Sequence, residues 1–101
     1  MIMTQKEITK RISVTPKIVC FTEFTVHVAE TGEEETINID DFYEVSNDSE
    51  GNVCVTYSTG NDDMPYDGFM VAETVEEVRE IVKAARRMQI EVFDKYKNIE
   101  L

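Results

Sequence analysis

Residues 74–97, TVEEVREIVKAARRMQIEVFDKYK, decide the fold because they carry the clearest local signal in the chain. Thr74, followed three residues later by Glu77, is a capping box, in which the threonine hydroxyl accepts from the Glu77 amide and the Glu77 carboxylate reaches back. No glycine or proline interrupts the residues that follow. We therefore predict a helix from Val75 to Lys97.

The apolar face of this helix is wide. At 100° per residue its apolar positions cover about half the circumference, more than the stripe of about 100° that a helix needs to pack on a sheet. Because the apolar face is wider than the sheet requires, we predict that one side of it packs on the chain's own sheet and the other side contacts a partner. This favours a homodimer through paired helices. A wide contact within the chain is the alternative. The predicted interface residues are Ile81, Ala85, Met88 and Val92.

The opposite side of the helix is basic. Arg79, Lys83 and Arg86 follow one another at i, i+4 and i+7, so they form one ridge, and Arg87 stands beside it. An arginine can hold a phosphate group through two parallel hydrogen bonds. The same ridge can instead pair with glutamates of its own helix, pair with the acidic sheet of a neighbouring subunit, or face water. These four residues are the candidate ligand-binding residues.

The chain before the helix is patterned as strands. The longest strand is predicted over 17–30, where Phe24, Val26 and Val28 alternate with Thr25, His27 and Ala29, the period of a half-buried strand. Val19 and Phe21 have the opposite parity, so we expect a bulge near Thr22 and Glu23. Further strands are predicted over 11–15, 36–39 with a continuation over 42–45 after a break at Asp40-Asp41, 53–57 and 69–72.

These elements predict a single domain over residues 1–101 of the α+β class. Its antiparallel sheet of about four to six strands is covered on one face by the long C-terminal amphipathic helix. The first ten residues have two interpretations. Thr4 and Glu7 can start a helical turn, and a flexible arm is the alternative.

Charge is distributed unevenly along the chain. Between Ile18 and Val78 there are sixteen Asp and Glu residues and no Lys or Arg, and the net charge is −11. A polyanion repels nucleic acid and anionic membranes, so we expect neither as a direct partner. A surface formed by this acidic middle segment would be complementary to a basic face of a host protein. The alternative function is therefore an acidic interaction module or a nucleic-acid mimic that blocks such a face.

Targeting signals are not evident. No apolar run approaches the ~20 residues that a membrane-spanning helix needs. The first residues also lack the apolar core of a secretory signal. The predicted location is the cytoplasm.

Catalysis has little support in the sequence. The one histidine, His27, has no serine or cysteine near it in a known catalytic pattern, so we assign no catalytic residue and no cofactor, and expect a protein that is not an enzyme. Asp62, Asp63 and Asp67 supply carboxylates within six residues, and residues 47–51 do not keep the spacing of a calcium loop. Solvated turn carboxylates are the favoured interpretation, and no metal site is assigned.

The layout of residues 37–84 resembles two groups of small proteins. It begins with Ile37-Asn38-Ile39, continues through Phe42 and Val45, a Val-x-Val strand, a loop with glycine and a last strand, and ends in the helix start at residues 73–78. This order is similar to the flagellar FlbD type, whose chains are shorter and lack the strand over 17–30. It also resembles small phage-encoded proteins that sequester cyclic-nucleotide immune signals.

The second resemblance implies a function. It implies a phage or mobile-element protein that inhibits by sequestering a phosphorylated, nucleotide-like signal between subunits of a homo-oligomer, without turning it over. Arg79, Arg86 and Arg87 are the residues that it would assign to the phosphates.

Overall fold

The computed structural model describes residues 3–15 and 21–97 and shows an α+β fold. Its elements, in chain order, are α1 (Gln5–Lys10), β1 (Ile12–Thr15), β2 (Phe21–His27), β3 (Glu34–Asn38), β4 (Phe42–Asn47), β5 (Val53–Ser58), β6 (Tyr66–Val71) and α2 (Val75–Lys97). The helix predicted over 75–97 is confirmed at its start, and it continues to Lys97, the last residue that the structure describes. Its capping box is also confirmed, because the Glu77 amide donates to Thr74 Oγ1 at 3.1 Å and the Thr74 amide donates to Glu77 Oε1 at 3.0 Å.

The six strands form two antiparallel sheets of three strands each, in the orders β1-β2-β3 and β4-β5-β6. The sequence predicted that Phe42 to Val45 would continue the strand that contains Ile37 after a break at Asp40-Asp41. The break is confirmed, because the chain turns there and the Asp41 amide donates to the Asn38 carbonyl at 3.0 Å. The continuation is wrong, because β4 starts the second sheet. A glycine with φ of 73°, Gly32, makes the tight turn between β2 and β3.

The two sheets meet along a short seam. Residues 27–29, at and just after the end of β2, form one side of it, and residues 70–72, at the end of β6, form the other. Val28 and Val71 form an antiparallel bridge there. The Ala29 amide donates to the Met70 carbonyl and the Ala72 amide donates to the His27 carbonyl, both at 2.9 Å. The Thr25 amide donates to the Arg11 carbonyl at 2.7 Å. Since amides of alternate residues point to the same side of a strand, β1 and β6 follow each other along one edge of β2.

Helix α2 covers the inner faces of the sheets and closes the core. The largest fully buried side chains come from β2, β5 and α2, and they are Phe24, Val26, Val55, Val78 and Ile81. Helix α1 packs beside α2 and contributes Ile8, which is buried. Residues 5–10 are therefore helical, and the Glu7 amide donates to Thr4 Oγ1 at 3.2 Å as the cap pattern predicted.

The bulge expected near Thr22 and Glu23 is wrong. Thr22 pairs with Val14 and Glu23 with Ser13 without a shift in register. Thr22 is buried and Phe21 is 41% exposed, so the strand keeps a single alternation and turns Phe21 outward. A register shift occurs elsewhere, between Phe42 and Glu44 of β4. Val19 and Cys20 lie outside the described residues.

Candidate functional site

A groove between α2 and β4 brings together three of the four cations predicted from the helix. It has a volume of about 470 Å³ and is open to solvent. Its lining residues are Phe42, Glu44, Val45, Arg79, Val82, Lys83 and Arg86. We call it the cationic groove. Arg87 is exposed and is not among its lining residues.

The periodicity of α2 places the cations at this edge. Val78, Ile81, Val82 and Ala85 are buried in the core and fix which side of the helix faces the sheets. Arg79, Lys83 and Arg86 lie on the adjoining ridge, so they reach the rim beside β4 instead of the core.

The register shift in β4 builds the apolar wall of the groove. In a regular strand, side chains three residues apart point to opposite faces. The shift between Phe42 and Glu44 lets Phe42 and Val45 both pack against the core and both line the groove. Phe42 is held in place by an edge-to-face contact with Phe24, with 5.7 Å between ring centroids.

Arg86 and Phe42 form the most specific contact in the groove. The guanidinium carbon of Arg86 lies 5.8 Å from the centroid of the Phe42 ring, within the range of a cation–π interaction. This contact orients the guanidinium across the apolar wall without consuming its hydrogen-bond donors. Arg86 therefore keeps its donors for a ligand.

Among the described residues, the three cations of the groove form no ion pair. Among residues 3–15 and 21–97, no carboxylate oxygen lies within 4.0 Å of a charged nitrogen of Arg79, Lys83 or Arg86. The pairing with Glu76 and Glu80 that the helix spacing allowed is thus not formed. Glu44 is the acidic residue among those that line the groove. The arrangement provides a positive wall, an apolar wall and one carboxylate acceptor.

The predicted interface residues divide into two groups. Ile81 and Ala85 are 0% exposed and belong to the chain's own core, so they are not available to a partner. The wide apolar arc is thus explained in part by contact within the chain, because two sheets and α1 all pack against α2. Met88 and Val92 are half-buried and remain partly accessible, and Ile90, on the opposite side of the helix, is 62% exposed.

Sequence reasoning missed a buried carboxylate at the seam. Glu73 is only 6% exposed, and it accepts from the His27 amide at Oε1 at 2.9 Å. At Oε2 it accepts from Arg11 Nη1 at 2.9 Å and meets His27 Nδ1 at 2.6 Å, with Nδ1 as the donor because a carboxylate can only accept. Arg11 and His27 lie 62 and 46 residues away in sequence, so no local pattern could have revealed the cluster.

Glu73 fills a gap in backbone pairing along one edge of β2, between the start of β1 and the end of β6. The amides of Thr25 and Ala29 bond to backbone carbonyls on this edge, and the His27 amide between them bonds to the Glu73 side chain. Burial disfavours the charged form, but the hydrogen bonds from His27 and Arg11 outweigh it and hold the pKa of the Glu73 carboxyl below its ordinary value. The cluster joins the two sheets.

Other candidate chemistry is limited in the described part of the chain. No group of three or more His, Cys, Asp or Glu side chains within residues 3–15 and 21–97 is arranged to hold a metal ion. Asp62, Asp63 and Asp67 are exposed. Cys54 is a half-buried free thiol. Neither of the described helices is long and apolar enough to cross a membrane.

No protein-family model, curated protein or solved structure matches this chain. The resemblance to the flagellar FlbD type and to the signal-sequestering phage proteins therefore stays a prediction that rests on residues 37–84.

Proposed function

We propose that the cationic groove binds a phosphorylated small molecule of nucleotide size and that the protein acts by sequestering it. One observation carries the proposal: Arg79, Lys83 and Arg86 line a single groove whose other wall is the half-buried Phe42 and Val45. Cations that reach the same cleft as an exposed part of an aromatic ring suit a ligand with an anionic end and a flat apolar end.

The dimensions and chemistry of the groove support this ligand class. Its volume of about 470 Å³ falls in the range of roughly 300–1,000 Å³ typical of small-molecule sites. The guanidinium groups of Arg79 and Arg86 can each bind two phosphate oxygens, and Lys83 adds a point charge between them. Glu44 repels phosphate and accepts hydrogen bonds, so it selects a hydroxyl or amino group for the end of the ligand near β4.

A binding role fits these residues better than a reaction. His27, the one histidine of the chain, is engaged with Glu73 at the seam and does not line the groove. The residues of the groove recognise charge and shape, and the ligand is held unchanged.

The proposal includes self-association through the last turns of α2. Met88 and Val92 are half-buried and lie four residues apart on one side of α2, after Ala85 of the core. A Val92→Glu change should lower the solution mass measured by light scattering if this end of the helix joins two copies, whereas Ile90→Glu, on the opposite side of the helix, should leave it unchanged. A solution mass that is the same in wild type and Val92→Glu would contradict self-association through this surface and leave the groove proposal standing.

The ligand is tested by native mass spectrometry of freshly purified protein, followed by calorimetric titration with a panel of AMP, ATP, cyclic AMP and cyclic dinucleotides. We expect at least one member to bind and to be recovered intact. Arg86→Ala should weaken binding roughly 10-fold or more, because hydrogen bonds to a charged group contribute about 1.5–3 kcal/mol.

Arg87→Ala is the matched control. It removes the same charge from the next residue of the helix, outside the groove. We expect less than a threefold loss of affinity for this variant. Equal losses in both variants would show diffuse attraction to a basic helix and would contradict a built site. Absence of a retained mass, together with no binding of any panel member at millimolar concentration, would also contradict it.

A further inference from the structure

The second sheet exposes apolar side chains on the face that points away from the core. Val55 and Val71 are buried on the inner side, and Tyr43, Tyr66 and Met70 are 57%, 49% and 38% exposed on the other. The rings of Tyr43 and Tyr66 contact each other, with centroids 4.6 Å apart and an angle of 42° between planes. We call this surface the outer face. An exposed apolar surface of this kind on a soluble domain is typical of an interaction site.

Small residues between the large ones make the outer face continuous. Cys54 pairs with Ser46 on one side and with Met70 on the other. Thr56 likewise lies between Glu44 and Gly68. Because cross-strand partners point to the same face of a sheet, these two rows lie next to each other. Along β6 only Gly68 lies between Tyr66 and Met70 on this face, and the short side chains of Cys54 and Thr56 flank it, so a partner can lie flat across them.

The surroundings of the outer face are anionic. Glu44 belongs to one of its rows, and Asp62 and Asp63 are exposed in the loop before β6, which also exposes Met64. All strands of this sheet fall within residues 18–78, which contain no Lys or Arg. Tyrosine rings attract cations through their π faces. The carboxylates and the tyrosine rings of this surface therefore both favour a partner with positive side chains.

We propose that the outer face binds a segment of a partner protein rich in Lys and Arg, with cationic side chains on Tyr43 and Tyr66 and their charges balanced by Glu44 and the loop aspartates. A second copy of this chain fits poorly. A symmetric contact through this face would place carboxylates against carboxylates, and each copy carries a net charge of −11. Tyr43, Tyr66 and Met70 do not line the cationic groove, and Glu44 is the one residue assigned to both surfaces, so the test changes the tyrosines.

The probe is a fluorescently labelled nona-arginine peptide, titrated with full-length protein and followed by anisotropy, with nona-glutamate as the negative control. A Tyr43→Ser/Tyr66→Ser variant removes both rings without changing the net charge. We expect this variant to bind nona-arginine about 10-fold more weakly, equivalent to ~1.4 kcal/mol. A Glu33→Gln/Glu34→Gln variant, changed in the exposed hairpin of the first sheet, should lose less than threefold.

Thermal unfolding and backbone amide NMR spectra verify that both variants are folded, and shifts in wild-type spectra map the contact. Shifts centred on β4 to β6, together with the loss in the tyrosine variant, support the proposal. If the hairpin variant loses as much affinity as the tyrosine variant, or if nona-arginine does not bind at millimolar concentration, the proposal is overturned. It is also overturned if the tyrosine variant alone changes the solution mass of the protein, because the face would then join copies of this chain. Neither variant changes a residue that lines the cationic groove, so we expect nucleotide binding there to be the same in both variants and in the wild type. Each of the two proposals can therefore be contradicted without the other.

Discussion

Replacement of Glu73 by glutamine should unfold the protein at a markedly lower temperature. The side chain keeps its size, but one of its two acceptor oxygens becomes an NH₂ group. If the remaining oxygen keeps the His27 amide, the NH₂ group faces Arg11 Nη1, which can only donate, and His27 Nδ1, which donates to the carboxylate in the wild type. The variant therefore loses two charge-assisted hydrogen bonds and retains the one from the His27 amide, and it forms a neutral one to Nδ1 only if the imidazole carries its proton on Nε2.

The expected loss of stability follows from these contacts. A hydrogen bond to a charged group contributes about 1.5–3 kcal/mol, and the side chains of Arg11 and His27 are each roughly a quarter exposed, so the lower figure applies. Two such bonds give a loss of about 3 kcal/mol. For a domain of this length each kcal/mol corresponds to roughly 4–8 °C, so Tm at pH 7 should fall by about 12–24 °C.

The assay is thermal and urea unfolding at a series of pH values, with Glu80→Gln as the control. Glu80 is exposed on the same helix, and its change should shift stability by less than about 0.5 kcal/mol. Since the pKa of Glu73 is lower in the folded protein than in the unfolded chain, its contribution is complete above its ordinary pKa of 4.5 and is lost as the pH falls through the folded value. The difference in free energy of unfolding between the wild type and Glu73→Gln should therefore become smaller below about pH 4.5.

Two results would refute this reasoning. If Glu73→Gln matches Glu80→Gln at pH 7, the seam does not depend on the buried carboxylate. If the difference in free energy of unfolding between the two proteins is unchanged down to pH 3, the lower stability of Glu73→Gln comes from misfit of the amide and not from loss of the charge.

Two further changes test other parts of the fold by urea unfolding. Thr74→Ala removes the cap that accepts from the Glu77 amide and should cost about 1 kcal/mol, and an unchanged midpoint would show that packing alone fixes the start of α2. Gly68→Ala places a Cβ atom 2.7 Å from the Val55 carbonyl oxygen, so we expect β5 and β6 to be forced apart. That strain should cost roughly 1–3 kcal/mol, whereas Ser46→Ala, on the same sheet, should cost almost nothing.

The helices and strands whose signals come from residues adjacent in the sequence were predictable. Thr74 and Glu77 determine the start of α2 within one turn, and the alternation through Phe24 and Val26 shows which side of β2 is buried. Period-2 alternation shows which face of a strand is apolar but does not identify its neighbour. The division into two sheets at Asp41 was missed for that reason.

The candidate site was predictable only on its helical side. The spacing of Arg79, Lys83 and Arg86 along α2 placed them on one ridge, and they do line one groove. Phe42 is more than forty residues away from Arg86, and it reaches the groove because of a register shift that has no signature in the local sequence. The buried state of Ile81 and Ala85 likewise depends on how many elements pack against the helix.

The seam between the sheets has a kinetic consequence. Each sheet is built from hairpins whose partners are close in sequence, so their pairing encloses short loops and forms early. The contact between His27 and Glu73 joins residues 46 positions apart, so its closure should be the slow step of folding and its release an early step of unfolding. A molecule with an open seam exposes unpaired backbone on β2 and β6, and two such molecules can exchange halves. Domain-swapped dimers formed at high concentration or low pH are therefore the misassembled form that this architecture favours.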